Sequence, residues 1–111
     1  MISTHVLDTS VGSPAVGVRV LLEQWTRDTW KSLGAASTDA DGRVMELLGA
    51  GTPLVRGVYR LHFGTGTYFA ARKVKAFYPS VTVEFEVTDA SQHHHVPLLL
   101  SPFGYSTYRG S

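Results

Sequence analysis

Ser80-Val81-Thr82-Val83-Glu84-Phe85-Glu86-Val87-Thr88 is the stretch that decides the fold. Val81, Val83, Phe85 and Val87 alternate with Thr82, Glu84, Glu86 and Thr88 without a fault. A period of two puts the apolar side chains on one face of an extended chain and the polar ones on the other. The same period recurs upstream. In Ala15–Gln24, Val16, Val18, Val20 and Leu22 share a face opposite Gly17, Arg19, Leu21 and Glu23. In Val58–Phe63, Tyr59, Leu61 and Phe63 alternate with Val58, Arg60 and His62. Ser3–Asp8, Thr29–Ser37, Arg43–Leu48, His93–Leu100 and Tyr105–Tyr108 read as further strands. Short strands spaced roughly 8–12 residues apart predict an all-β antiparallel sandwich or barrel.

The punctuation agrees. Gly12-Ser13-Pro14 separates the first two strands, and Asp41-Gly42 is a turn signal. Gly49–Pro53, Gly64–Gly66 and Ser101–Gly104 break the remainder. Pro97 falls inside a candidate strand and has no N–H for a ladder, so it calls for an edge position or a bulge. One stretch departs from alternation. Thr67–Ala76, rich in Ala and Lys, predicts a short helix with Phe69, Val74 and Phe77 facing inward, ended by Pro79.

The 111 residues are evenly mixed from end to end, which predicts one domain over 1–111. Such a chain builds one core and has little left for a deep private cleft. Ten basic and nine acidic residues give a net charge of +1, against the basic field that nucleic-acid binding wants. No apolar run reaches the ~18–20 residues of a membrane helix. Met1–His5 lacks the basic and apolar regions of a signal peptide, and the ending Arg109-Gly110-Ser111 is not a peroxisomal address. The expected compartment is the cytoplasm. With no cysteine there are no disulfides, thiolate metal sites or cysteine nucleophiles.

The histidines are the first candidates for chemistry. His93, His94 and His95 stand together, with His5 near the start and His62 in mid-strand. On a strand His93 and His95 share a face and His94 takes the other. Three readings of the triplet compete: a solvated strand start, a catalytic site and a metal site. Two same-face histidines fall short of the three or four ligands zinc takes, and no metal is assigned. Arg43, after the Asp-Gly turn, is either a solvated arginine or a clamp for an anion. The ending Phe103–Ser111 holds three aromatic residues where most termini are frayed and polar, so it is expected to dock.

These residues, taken together, resemble the transthyretin superfamily. Ser3-Thr4-His5-Val6-Leu7-Asp8-Thr9 with Gly12-Ser13-Pro14-Ala15 is similar to its opening signature, and Asp39–Arg43 to a second marker. Phe77-Tyr78-Pro79 is a third, and His95–Ser111 is the strongest. The final Tyr108-Arg109-Gly110-Ser111 resembles the enzymatic branch, the 5-hydroxyisourate hydrolases, rather than the hormone carriers. The resemblance covers the chain in order. It departs at His94, where relatives often have tyrosine; a side chain facing away from His95 leaves the chemistry intact.

The resemblance implies a transthyretin-like sandwich of two four-stranded sheets with one short helix. It implies a homotetramer, a dimer of dimers, with active sites where the dimers meet. It implies a cofactor-free cyclic amide hydrolase that opens the ring of 5-hydroxyisourate, the unstable product of urate oxidation. The product would be 2-oxo-4-hydroxy-4-carboxy-5-ureidoimidazoline. Catalytic residues carry over to His5, Arg43, His95 and Ser111, with substrate contacts at His5, Arg43, Tyr108, Arg109 and Gly110. Two histidines would activate water and shuttle protons, since neutral imidazole suits that work near neutral pH. Arg43 would orient the substrate, and the Ser111 hydroxyl or the terminal carboxylate would hold a histidine in its useful tautomer. The rival readings are a transthyretin-like carrier without chemistry, a sandwich module for carbohydrate or protein recognition, and a metal-binding protein using His93–His95.

Overall fold

Alternation becomes strands wherever one face finds a core. The computed structural model describes Met1–Ser111. In chain order the elements are β1 (Ile2–Asp8), β2 (Ser13–Pro14), β3 (Arg19–Thr26), β4 (Thr29–Ser37), β5 (Arg43–Val44), β6 (Gly57–Phe63), α1 (Thr65–Ala71), β7 (Val81–Val87), β8 (His94–Ser101) and β9 (Gly104–Thr107). One sheet runs β2-β1-β8-β9, with β5 added on β1; the other runs β4-β3-β6-β7. All pairings are antiparallel except β1 with β8, which is parallel. The two sheets form the expected all-β sandwich, and no helix is long and apolar enough to cross a membrane.

The core lies between the sheets. Val20 and Leu22 of β3 and Tyr59, Leu61 and Phe63 of β6 are fully buried, and Val81 and Val87 of β7 nearly so. They meet Ile2 and Val6 of β1 and Val96, Leu98 and Leu100 of β8. Burying each such side chain stabilises the fold by about 1.5–3 kcal/mol. Even-numbered residues of β1 and β8 therefore point inward. The odd-numbered ones, Ser3, His5 and Leu7 with His95, Pro97 and Leu99, line the outer face.

Two buried polar groups, Asp8 and Thr38, are paired near strand ends. The Asp8 carboxylate, 2% exposed, accepts hydrogen bonds from Tyr68 Oη at 2.8 Å and from the Ser10 hydroxyl at 2.6 Å. Burial, followed by this bond to Asp8, pushes the Tyr68 pKa up to about 12. Thr38 Oγ1 donates to the Ala15 carbonyl at 2.6 Å and accepts from Val18 N–H at 2.9 Å, tying the loop before β3 to the end of β4.

Several boundaries differ from the sequence reading. Ala15–Gln24 is a strand only from Arg19, and Val16 is exposed; Ala15 instead donates its N–H to Val6 O at 2.9 Å. Arg43–Leu48 shortens to Arg43–Val44. Beyond it the Glu46 carboxylate turns back to accept from Ile2 N–H at 2.9 Å, which takes the chain out of the ladder. Counting the short β2 and β5, nine strands replace eight, and one sheet has a fifth strand beside its four-strand path. The helix spans Thr65–Ala71 rather than Thr67–Ala76. It closes because Lys73, at φ 60°, donates to Ala70 O at 3.0 Å while Val74 N–H donates to Phe69 O at 3.0 Å. That is the left-handed helix ending that glycine usually supplies. The turn sends Val74 and Phe77 outward, and Tyr68 takes the inward place beside Phe69.

Pro97 lies not at an edge but in β8, between β1 and β9. The register pairs Leu98 with Thr107 and, after a gap, His95 with Gly110. Pro97 thus stands opposite Tyr108, the one place where its missing N–H would have donated to the tail. Its carbonyl is taken by the Thr107 hydroxyl at 2.7 Å. The ladder skips Tyr108 and Arg109, and the tail resumes in register at Gly110.

Candidate active site

The outer face of the first sheet gathers residues that are far apart in the chain. β1 sits between β5 and β8, with His5 opposite Arg43 on one side and Pro97 on the other. Ser3, one step down the same face, pairs with His95. Val6 N–H donates to Gly42 O at 2.8 Å, so His5 and Arg43 form a pair without its own ladder bonds. In such pairs the Cα atoms approach to ~4.5 Å and the side chains lie close.

The turn before β5 aims Arg43. The Asp39 carboxylate accepts from Asp41 N–H at 2.9 Å and Arg43 N–H at 3.0 Å, and Asp39 N–H donates to Arg43 O at 2.9 Å. The backbone bonds from Arg43 and Asp41, helped by the Arg43 charge, hold the Asp39 pKa below its ordinary value. Gly42 has φ +73°, and a Cβ there would meet Val6 O at 2.5 Å, so only glycine fits. The Arg43 side chain is exposed and forms no ion pair; the one salt bridge of the molecule joins Arg60 to Glu23 on the other sheet. Its guanidinium is free for a ligand.

His95 is held from two sides. Ser3 Oγ lies 2.8 Å from its Nδ1 and 2.7 Å from His93 Nε2, so one hydroxyl bridges two imidazoles. Gly110 N–H donates to His95 O at 2.9 Å, and a Cβ on Gly110 would stand 2.5 Å from His95 Cδ2. The tail can cross the ring only because that residue is glycine. Burial first, then the charges of Arg43, His93 and His5, keep the His95 pKa below its usual value, so the ring is neutral at neutral pH. The hydroxyl on His95 is that of Ser3, in the place the sequence reading gave to Ser111; Ser111 lines the same hollow of about 100 Å³, with Ser3, Arg43, Met45, His93 and His95.

One other expectation changes. Arg109 is drawn away from this face by donating to Gln92 Oε1 at 2.7 Å. It lines a second cavity of about 240 Å³ together with Glu84, Glu86, His94 and Tyr108. The triplet divides between two faces, as strand geometry predicts. His93 and His95 share the outer face, their ring centroids 6.2 Å apart, while His94 points inward and is 5% exposed. Its Nδ1 has no partner, and burial lowers its pKa. No group of three or more His, Asp or Glu side chains is arranged to hold a metal ion. Ser3 is the candidate site member that the sequence reading missed, and His93 was weighed there only as part of the triplet. The signal was present in the pairing of the first strand with the one after the triplet, which only the topology reveals.

This arrangement offers a neutral imidazole, a second histidine, an unpaired guanidinium and an open hollow. It suits addition of water to a small planar substrate that carries or develops negative charge.

Comparison with known proteins agrees with the fold. The chain is 50% identical over 110 residues to a probable 5-hydroxyisourate hydrolase of Caenorhabditis elegans, covering 99% of this chain and 81% of the relative. The solved 5-hydroxyisourate hydrolase of Klebsiella pneumoniae superposes with a TM-score of 0.86 at 37% identity, covering 99% and 98% of the two chains. Sea bream transthyretin, solved in complex with thyroxine, gives a TM-score of 0.89 at 31% identity over 98% of this chain and 93% of its own. The profile of the HIUase/Transthyretin family matches residues 2–110, and the chain belongs to that family.

Proposed function

We propose that this chain is a 5-hydroxyisourate hydrolase of urate degradation, opening the substrate ring to 2-oxo-4-hydroxy-4-carboxy-5-ureidoimidazoline. The observation that carries this reading is the convergence of His5, Arg43 and His95 on one sheet face, through the pairings of β1 with β5 and β8. The hydrolase names of relatives such as the Caenorhabditis elegans protein support it.

In this reading water adds to a ring carbonyl as a histidine takes its proton. His95 is suited to the task because it is neutral and its Nε2 is free of the Ser3 bond. His5, on the neighbouring strand, takes the second proton-transfer role. Arg43 orients the substrate and balances the charge that develops on the carbonyl oxygen. The C–N bond then breaks, and the leaving nitrogen receives the proton from a histidine. A well-placed base contributes ~10²–10⁴-fold, and a single donor to an oxyanion ~10²–10³-fold.

The site belongs to an assembly of two dimers. A hollow of about 100 Å³ is smaller than the ~300–1,000 Å³ of ordinary ligand pockets, and Arg43, Met45 and Ser111 around it are exposed. The facing sheet of another copy would supply the missing wall. The likeness to transthyretin structures supports an oligomer of that kind.

The experiment follows freshly generated 5-hydroxyisourate by ultraviolet absorbance beside its spontaneous decay, for the intact protein and for His5→Ala, Arg43→Ala and His95→Ala. Decay accelerated by the intact protein and lost in the variants supports the reading. Thyroxine binding without any acceleration would turn it to a carrier.

A further inference from the structure

We propose that Ser3 and His93 form a proton relay that lets His95 act first as base and then as acid without becoming charged. This rests on His95 being a reacting histidine of the hydrolase.

The geometry is a hydroxyl set between two ring nitrogens, His95 Nδ1 at 2.8 Å and His93 Nε2 at 2.7 Å. A hydroxyl has one proton to donate and lone pairs to accept. The bridge therefore has two polarities. In the first, His95 Nδ1–H donates to Ser3 Oγ, whose own proton goes to His93 Nε2, and His95 Nε2 is a free base. In the second, His93 Nε2–H donates to Ser3 Oγ, Ser3 donates to His95 Nδ1, and His95 Nε2 carries a proton.

Chemistry converts the first into the second. As His95 Nε2 takes the proton of the attacking water, its Nδ1 proton moves to Ser3 Oγ. The Ser3 proton moves to His93 Nε2. One proton enters at Nε2 of His95 and one arrives at His93, so His95 stays neutral and the positive charge rests on His93. His95 now holds Nε2–H for the leaving nitrogen. When it gives that proton up, the two transfers reverse and His93 returns its own.

The surroundings favour placing the charge there. Burial and Arg43 oppose a charged His95, with His5 adding to the effect from β1, whereas His93 is exposed to solvent. From β5, Arg43 is the charged group that faces His95; Met45 and Ser111 also line the hollow. The bridging hydroxyl belongs to Ser3, which is buried, and an ordered hydroxyl there holds its geometry.

The test compares Ser3→Ala, Ser3→Thr, His93→Gln and His93→Phe in the intact protein. Ser3→Ala and both His93 variants are expected to lose kcat by up to ~10²-fold with KM little changed, the lower end of what a placed proton-transfer group contributes. Ser3→Thr keeps the hydroxyl and should retain most activity. Imidazole added to the buffer should restore His93→Gln in proportion to its concentration. Nitrogen-15 NMR of His95 should show mainly Nδ1–H in the wild type and a redistributed tautomer in Ser3→Ala. Wild-type kcat in both His93 variants overturns the relay, as does an unchanged His95 tautomer in a folded Ser3→Ala. If the wild type itself fails to accelerate substrate decay, the hydrolase reading fails instead, and the NMR comparison still reports on the bridge.

Discussion

Gly110 lies against the imidazole of His95 so closely that a Cβ built on it would stand 2.5 Å from Cδ2 of the ring. Pro97 Cγ, 3.1 Å from the same position, closes the other side. One hydrogen atom in place of a methyl group thus decides how the tail crosses a candidate catalytic histidine. Gly110→Ala must move the ring or the tail. A displacement near 1 Å at a reacting group costs ~10²-fold in rate. We expect that loss in kcat, with circular dichroism and thermal midpoint close to wild type, because the tail lies outside the core. Full activity in Gly110→Ala would mean that the tail does not rest on His95 during turnover.

The pH profile should report the depressed His95 pKa. Its neutral form is the base, so activity is retained as pH falls to 6.5 and is lost only as pH falls through the lower folded value. Burial is the main cause and Arg43 the next, so Arg43→Gln should shift the acid limb upward as well as weaken substrate use. Rates for wild type and Arg43→Gln across pH 5–8 decide this. An acid limb in the same place in both proteins would remove Arg43 from the electrostatics of His95.

Stability carries its own pH signature. His94 and His95 both have folded pKa values below the ordinary 6.5. Between 6.5 and those values the unfolded chain binds more protons than the native one, so stability falls as pH falls through that window. His94→Phe removes a buried ring whose Nδ1 has no partner. Replacing an unsatisfied polar group by an apolar one of similar shape is nearly neutral or stabilising. The thermal midpoint of His94→Phe at pH 7 should therefore equal or exceed that of wild type, and it should fall less on acidification to pH 5.5. A large loss at pH 7 would point to a hidden partner for His94.

Tyr68→Phe should destabilise the fold by ~1.5–3 kcal/mol in urea titrations, the worth of a hydrogen bond to a charged group, since the buried Asp8 carboxylate loses its donor from the helix. The wild type should also lose stability as pH rises from 10 towards 12. There the unfolded phenol ionises while the folded one, with its pKa near 12, keeps its proton. Tyr68→Phe should lack that alkaline slope.

Gly42→Ala tests the turn that carries Arg43. With φ at +73° and Val6 O at 2.5 Å from the new Cβ, the turn must shift, and the first residue it moves is Arg43. We expect the thermal midpoint to fall and KM to rise together. A change in neither would show that the turn absorbs the new methyl group without moving the guanidinium.

Much of the fold could be read from alternation, because a period of two with one buried face leaves few other solutions. Thr29–Ser37 matches β4 at both ends, and Tyr59, Leu61 and Phe63 are the buried face of β6 as expected. The misreadings sit where a side chain competes with the ladder. The Glu46 carboxylate ends β5 after two residues, and Lys73 closes the helix in a conformation its identity does not advertise. His5, Arg43 and His95 could be nominated as candidates through motif likeness. Ser3 was passed over as part of a strand, and Arg109 was misplaced because its bond to Gln92 bridges residues on either side of a hairpin.

Strand periodicity, turn residues and the distinctive ending are local properties, and from them the amino-acid order already specified an all-β chain, with His5, Arg43 and His95 as candidate reactive residues through its motifs. Tertiary structure alone decided that β1 would lie between β5 and β8, in parallel with the latter. Register is a long-range choice, made when two apolar faces meet across the core and every strand must present its buried side at once. That choice set Ser3 between His93 and His95, brought Gly110 onto the imidazole, and turned His94 into the interior. None of these relations spans fewer than fifteen residues except the turn of the triplet itself, and no local pattern could have carried them.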